Sequence, residues 1–250
     1  KIRSDEKCSD VLRSHFNAEI TTEAAAEQII GQLQKSSIEM SRSVLEGFAQ
    51  RHHVEFHPCD ACNLHGSGCT YFQDTPSRPD SVSFPFEHIS KICSLFQPRA
   101  ITIVGGGEPT LYRSGQHRLG DLICALGQGK FGPAPTLGLI SNGVQWPSGD
   151  PKWPGYLKWV RYSLDASTPD SYMRSKGRNY FEKIVDNIFR TLTQTAIPQV
   201  GVGFLYHPGN IAEAGQLISD LAQRLKRICP DELSRLNIQF RPWRMPEGRP

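Results

Sequence analysis

The sequence predicts an α/β fold, a partial (β/α)6 barrel with an N-terminal helical segment in front of it. Three observations predict it. Six short segments rich in Val, Ile, Phe, Tyr or Leu recur along the chain, at 53–57, 100–104, 137–140, 159–164, 199–206 and 236–240, and turn residues bound most of them. Helical apolar stripes separate them. Phe181, Ile184, Val185, Ile188, Phe189 and Leu192 form one, and Leu217, Ile218, Leu221, Leu225 and Ile228 another. Shorter stripes run through 86–96 and 119–126. Strand–helix alternation of this kind implies parallel strands joined by right-handed crossovers. Six units fall short of the usual eight-stranded barrel, so an open, partial closure is expected.

The segment 21–50 is rich in Ala, Glu, Gln and Leu and lacks proline, which reads as one or two helices. The domain organisation is therefore a helical segment over 1–50, the barrel over 51–245 and a tail over 246–250. The stretches 74–85 and 146–154 are Pro/Ser/Gly-rich loops within it.

Composition narrows the function classes. A hydrophobic share of 38% and a charged share of 21% are ordinary for a soluble globular protein. The formal net charge of +3 gives no reason to expect nucleic acid or an anionic membrane as partner. No stretch approaches the roughly 18 apolar residues of a membrane span. The opening KIRSDEKCSD has no apolar signal core, so a cytoplasmic location is expected.

The seven cysteines are unevenly placed. Cys59, Cys62 and Cys69 crowd one segment, which points to a metal or cluster site rather than a disulfide framework. Cys93 and Cys124 fall on helical apolar faces and read as small core hydrophobes.

In parallel α/β architectures, ligands collect at the C-terminal ends of the strands. The unusual residues sit at those ends: HPCDACNLHGSGCTYF after the first strand, GGGEPTLY after the second, SNG after the third, SLDA on the fourth and HPGN after the fifth. In this combination and order the sequence resembles the radical S-adenosylmethionine (SAM) superfamily over roughly 53–243.

The resemblance implies a [4Fe–4S] cluster on the cysteine loop, with three thiolates on three irons and the fourth iron left for SAM. It implies that Gly106, Gly107 and Glu108 meet the methionine ammonium through backbone carbonyls and a carboxylate. Ser163 and Asp165, taken as two residues on one strand face, would bond the ribose hydroxyls or the amino-acid end. A basic residue, Arg174 or Arg178, would pair with the SAM carboxylate. Ser141 and Asn142 are further pocket positions, with Asn210, Phe240 and Arg241 less specific ones. For His57 and His207 a bonded strand-end histidine is the better reading.

One ligand departs from the family's Cys-x3-Cys-x2-Cys loop. Cys62 and Cys69 keep its register, but the middle position is Gly66, which cannot ligate iron. The preferred reading takes Cys59 as the third thiolate, giving Cys-x2-Cys-x6-Cys. Two others stay open: His65 or an exogenous ligand fills the gap, or no competent cluster forms. Cys59, Cys62, His65 and Cys69 also make a zinc-compatible set, which would suit a structural site in a binding protein. A SAM-binding protein without catalysis is a further alternative.

The expected function is reductive cleavage of SAM to a 5′-deoxyadenosyl radical that takes a hydrogen atom from an organic substrate. A small metabolite, a sugar or nucleoside in natural-product biosynthesis, is favoured over a peptide because no second cysteine cluster follows. A reducing partner such as flavodoxin or ferredoxin is implied.

Overall fold

The structure, a computed structural model, describes residues 53–64, 82–208 and 210–242. All of these belong to one compact unit, Ala49–Pro250. The helices expected over 21–50, and His65, Gly66 and Cys69, lie outside the described residues.

The described strands, in chain order, are β1 (His53–Phe56), β2 (Ala100–Ile103), β3 (Arg113–Ser114), β4 (His117–Arg118), β5 (Thr136–Ser141), β6 (Leu157–Ser163), β7 (Gln199–Tyr206) and β8 (Leu236–Pro242). Six of them form one sheet in the order β1-β2-β5-β6-β7-β8, every neighbouring pair parallel. All six expected segments are strands of this sheet, displaced by at most two residues at an end. The small antiparallel hairpin β3–β4 was not foreseen, because its residues are too polar to read as strands.

The α-helices described are α1 (Ile89–Phe96), α2 (Leu119–Gly127), α3 (Pro169–Lys176), α4 (Phe181–Gln194) and α5 (Ala214–Ile228). Alternation fails once. The β5–β6 crossover carries only the 3-10 turn Trp153–Tyr156, since Pro147, Pro151 and Pro154 remove the donors a longer helix needs.

One face of the sheet is the core. Ile101, Ile103, Leu137, Leu139, Val160, Tyr162, Val200, Val202 and Phe204 alternate along their strands and are all buried. The α4 stripe is buried throughout, and each fully buried Leu, Ile or Phe contributes about 1.5–3 kcal/mol by transfer from water. The α5 stripe is narrower than its sequence suggests. Leu217, Leu221 and Leu225 are buried, whereas Ile218 and Ile228 are exposed, one a step around the helix and the other its last residue. Cys93 and Cys124 are buried on α1 and α2, as their apolar settings imply.

Candidate functional site

The cysteine loop and the glycine loop are bonded to each other at the C-terminal ends of β1 and β2. Val104 N donates to Phe56 O, Gly107 N to Cys59 O (3.2 Å) and Glu108 N to Ala61 O (2.6 Å). Gly107 has to be glycine, since a Cβ there would stand 2.1 Å from Ala61 O. The missing side chain at Gly107 thus admits the cysteine loop itself. Gly106 lies half-buried beside it.

Glu108 fastens this assembly to β5. It is 2% exposed, and its Oε1 accepts from Thr110 N, Thr110 Oγ1 and Ser141 Oγ at 3.0, 2.8 and 2.8 Å. Its Oε2 accepts from Asn142 N at 2.7 Å. Burial pushes its carboxyl upward, against the pull of these four donors. Ser141 and Asn142 are therefore part of the frame. Asn142 Nδ2 also donates to Asn63 Oδ1 at 2.6 Å, next to Cys62, so the cysteine loop is tied to both β2 and β5.

Cys59 is 4% exposed, and its Sγ donates to Glu108 O at 3.2 Å. Burial first, and then the Glu108 charge, push its thiol up to about 12. Cys62 is half-buried. Among the described residues no three His, Cys, Asp or Glu side chains are grouped to hold a metal ion; Cys69 and His65 lie outside that set.

The fourth strand corrects one expectation. β6 ends at Ser163, and Asp165 lies beyond it with φ 57, so the two do not share a strand face. A left-handed turn suits Asp better than most residues. Asp165 is 6% exposed; its Oδ1 accepts from Leu205 N at 2.8 Å and its Oδ2 pairs with Lys176 Nζ at 2.6 Å. Arg174, by contrast, has a side chain 70% exposed and stands 3.6 Å from Glu213. The half-buried cation near the strand ends is Lys176, which sequence reasoning passed over. Helical phase could have found it: Tyr172 is fully buried on α3, and Lys176 is four residues on, over the same face. Asn210 closes the turn after β7 through Leu205 O and His207 N. Phe240 stacks at an angle against Phe204.

Buried polar atoms without a hydrogen-bond partner are rare in native folds. Among the described residues the side-chain atoms of this kind are Asn63 Nδ2, Tyr172 Oη and Arg161 Nε. Asn63 adjoins Cys62, and the Tyr172 hydroxyl lies within electrostatic reach of Asp165, Cys62 and Glu108. Donors left over beside the cysteine loop fit a polar ligand there, as the amino-acid end or ribose of SAM would be.

No protein-family model matches the sequence, and no curated protein does. Solved structures do. Streptococcus suis SuiB bound to S-adenosylmethionine aligns with TM-score 0.57 at 12% identity, over 97% of this chain and 51% of SuiB. HydG, a maturase of the [FeFe]-hydrogenase, aligns with TM-score 0.55 at 10% identity, over 92% of this chain and 50% of its own. Native anSMEcpe with bound AdoMet and the Kp18Cys peptide aligns with TM-score 0.52 at 16% identity, over 78% and 52%.

The chain shares the fold of these structures. It spans about half the length of these structures. The six parallel strands match the partial barrel of these structures, and the bonded cysteine and glycine loops stand at its C-terminal rim. Among the described residues no helix is long and apolar enough to cross a membrane.

Proposed function

We propose that this chain is the core of a radical SAM enzyme, and that it binds SAM and a [4Fe–4S] cluster at the rim of β1, β2, β5 and β6. The observation that carries the reading is the bonding of Cys59–Ala61 to Gly107–Glu108 at adjacent strand ends of this fold. When bound, the cluster and SAM supply one-electron cleavage of the C5′–S bond and a 5′-deoxyadenosyl radical that abstracts hydrogen from substrate. The chain's own task is positional. The Glu108 frame holds the cysteine loop still, Gly106 and Gly107 present backbone to the methionine end, and Ser163, Tyr172 and Asn63 supply polar groups to the remainder. Lys176, and not only Arg174, is a cation for the SAM carboxylate. The electron comes from a reducing partner such as flavodoxin or ferredoxin.

Cys62, Cys69 and Cys59 are the proposed ligands. For Cys59 this requires loss of a proton from a buried thiol and release of the Glu108 carbonyl, a cost that iron–thiolate bonding would have to offset. Anaerobic reconstitution, iron and sulfide counts and a SAM-cleavage assay test the whole reading. A full cluster that survives Cys59→Ala removes Cys59 from the ligand set, and zinc without sulfide in the wild type ends the radical SAM reading.

The substrate is organic. A small metabolite remains one reading. A peptide gains support from the solved structures, since SuiB has been captured with the precursor peptide SuiA and anSMEcpe with Kp18Cys. Incubation of reconstituted protein with each class, followed by 5′-deoxyadenosine measurement, separates them.

A further inference from the structure

The face of the sheet opposite the core carries a second set of polar groups, below the rim. Val160 and Tyr162 of β6 are buried, with the Tyr162 hydroxyl 2.6 Å from Thr191 on α4. Arg161 alternates with them and so projects from the other face. Its side chain lies across β7, where Gly201 and Gly203 offer no side chain. A Cβ on Gly201 would stand 3.2 Å from Arg161 Cγ, and one on Gly203 3.7 Å from its Cδ and 3.8 Å from its Nε. The guanidinium reaches β8, where Nη1 donates to Gln239 Oε1 at 3.2 Å. Arg241 follows two residues later on that strand and therefore on the same face.

This arrangement is unbalanced. Arg161 Nε is buried without a partner, although an unmet charged donor is among the more costly groups to bury. Arg241 repels it, and burial together with that repulsion lowers the Arg161 pKa. Asp165 and Glu55 act in the opposite sense. Asp165 is already committed to Lys176, and Glu55 is an exposed residue on β1. Among the described residues neither Arg161 nor Arg241 forms an ion pair. Two guanidiniums on one face, one with its Nε–H unmet, match the planar bidentate geometry of an oxyanion.

We propose that the face of the sheet opposite the core binds an anionic group of the substrate, a carboxylate or a phosphate, between Arg161 and Arg241. That the anion belongs to a substrate rests on the radical SAM reading; the anion site itself does not. Arg161 precedes Ser163 by two residues, so the anion sits about 7 Å below the rim along β6. A substrate anchored there extends toward the strand ends, where SAM is proposed to lie. Gly201 and Gly203 act as specificity positions, because their bare backbone lets the Arg161 side chain lie across β7 and so sets where its guanidinium stands.

The test is isothermal titration of the reconstituted full chain, with SAM present, using inorganic phosphate and succinate separately at constant ionic strength. At least one anion is expected to bind saturably at one site per chain. Preference for phosphate assigns a phosphorylated substrate, and preference for succinate a carboxylate. Arg161→Gln is expected to weaken binding at least tenfold, and Arg161→Lys to restore only part of it, because the lysine keeps charge and loses the fork. Gly203→Ala adds a methyl at ordinary contact distance from Nε and leaves the fold unstrained. It is expected to weaken binding at least threefold with an unchanged melting temperature, so the test survives if Arg161→Gln does not fold. Absence of saturable binding by both anions overturns the proposal, as does binding that is indifferent to Gly203→Ala and to whichever Arg161 variants fold. SAM binding, measured in the same preparations, keeps the two readings apart. SAM binding without anion binding defeats only the anion site, whereas anion binding without SAM binding defeats the radical SAM reading and leaves the anion site standing.

Discussion

Glu108 and Asp165 are both buried carboxylates just past strand ends, and they are satisfied in opposite ways. Glu108 accepts four neutral donors, two backbone N–H groups and two hydroxyls, all from residues near the ends of β2 and β5. Asp165 accepts one backbone N–H and one ammonium. The first arrangement is a fixed joint, since its partners are main chain or short side chains that lose little entropy. The second is a clasp, since Lys176 is a long side chain that water still partly reaches, at 18% side-chain exposure against 7% for the Asp165 side chain. A rigid joint beneath the cysteine loop and an openable clasp on the β6 side suit a site with one side built to stay and the other built to admit a ligand.

Variants at the two carboxylates break or sharpen this contrast. Glu108→Ala leaves four donors without an acceptor and is expected to cost about 4 kcal/mol at roughly 1 kcal/mol per lost bond, read by urea denaturation of the metal-free chain. Lys176→Met strands the Asp165 charge with a single N–H and should cost about 2–3 kcal/mol, less than a fully buried pair would. Asp165→Asn keeps an acceptor for Leu205 N and tolerates the left-handed backbone, so a loss of about 1 kcal/mol is expected. Combined with Lys176→Met it should recover part of that variant's loss, and a double-mutant cycle reads the coupling. Arg174→Ala removes an exposed, 3.6 Å pair and should change stability by less than about 0.5 kcal/mol. A loss near that of Lys176→Met would show that the two cations of α3 are equivalent and end the contrast.

The cysteine loop shows where reading residues reached its limit. Its position after β1 and the companion Gly-Gly-Glu after β2 are legible, because motif order along alternating strands and helices maps directly onto one rim. That the Cys59 thiol turns toward the Glu108 carbonyl is not legible, because three-residue spacing on an irregular loop carries no direction. Ser163 and Asp165 mislead for the same reason. Alternation holds only while the strand lasts, and β6 ends at Ser163. Lys176 was within reach, through the helical phase that Tyr172 sets. Arg161 was not, since its setting depends on Gly201, Gly203 and Gln239 of two other strands.

The sequence by itself determined the fold class, the six strands, the α4 stripe and the rim on which the chemistry-bearing motifs gather. Local periodicity and turn chemistry suffice for these, since each is set by residues within a few positions of one another. Tertiary structure alone decided which polar side chains are satisfied by the protein and which are left open. Glu108 is closed by β5, Asp165 by α3 and β7, and Arg161 Nε by nothing among the described residues. Hydrogen bonds between residues 30 to 80 positions apart depend on sheet register and crossover path, and neither quantity is written in the local pattern of any one segment.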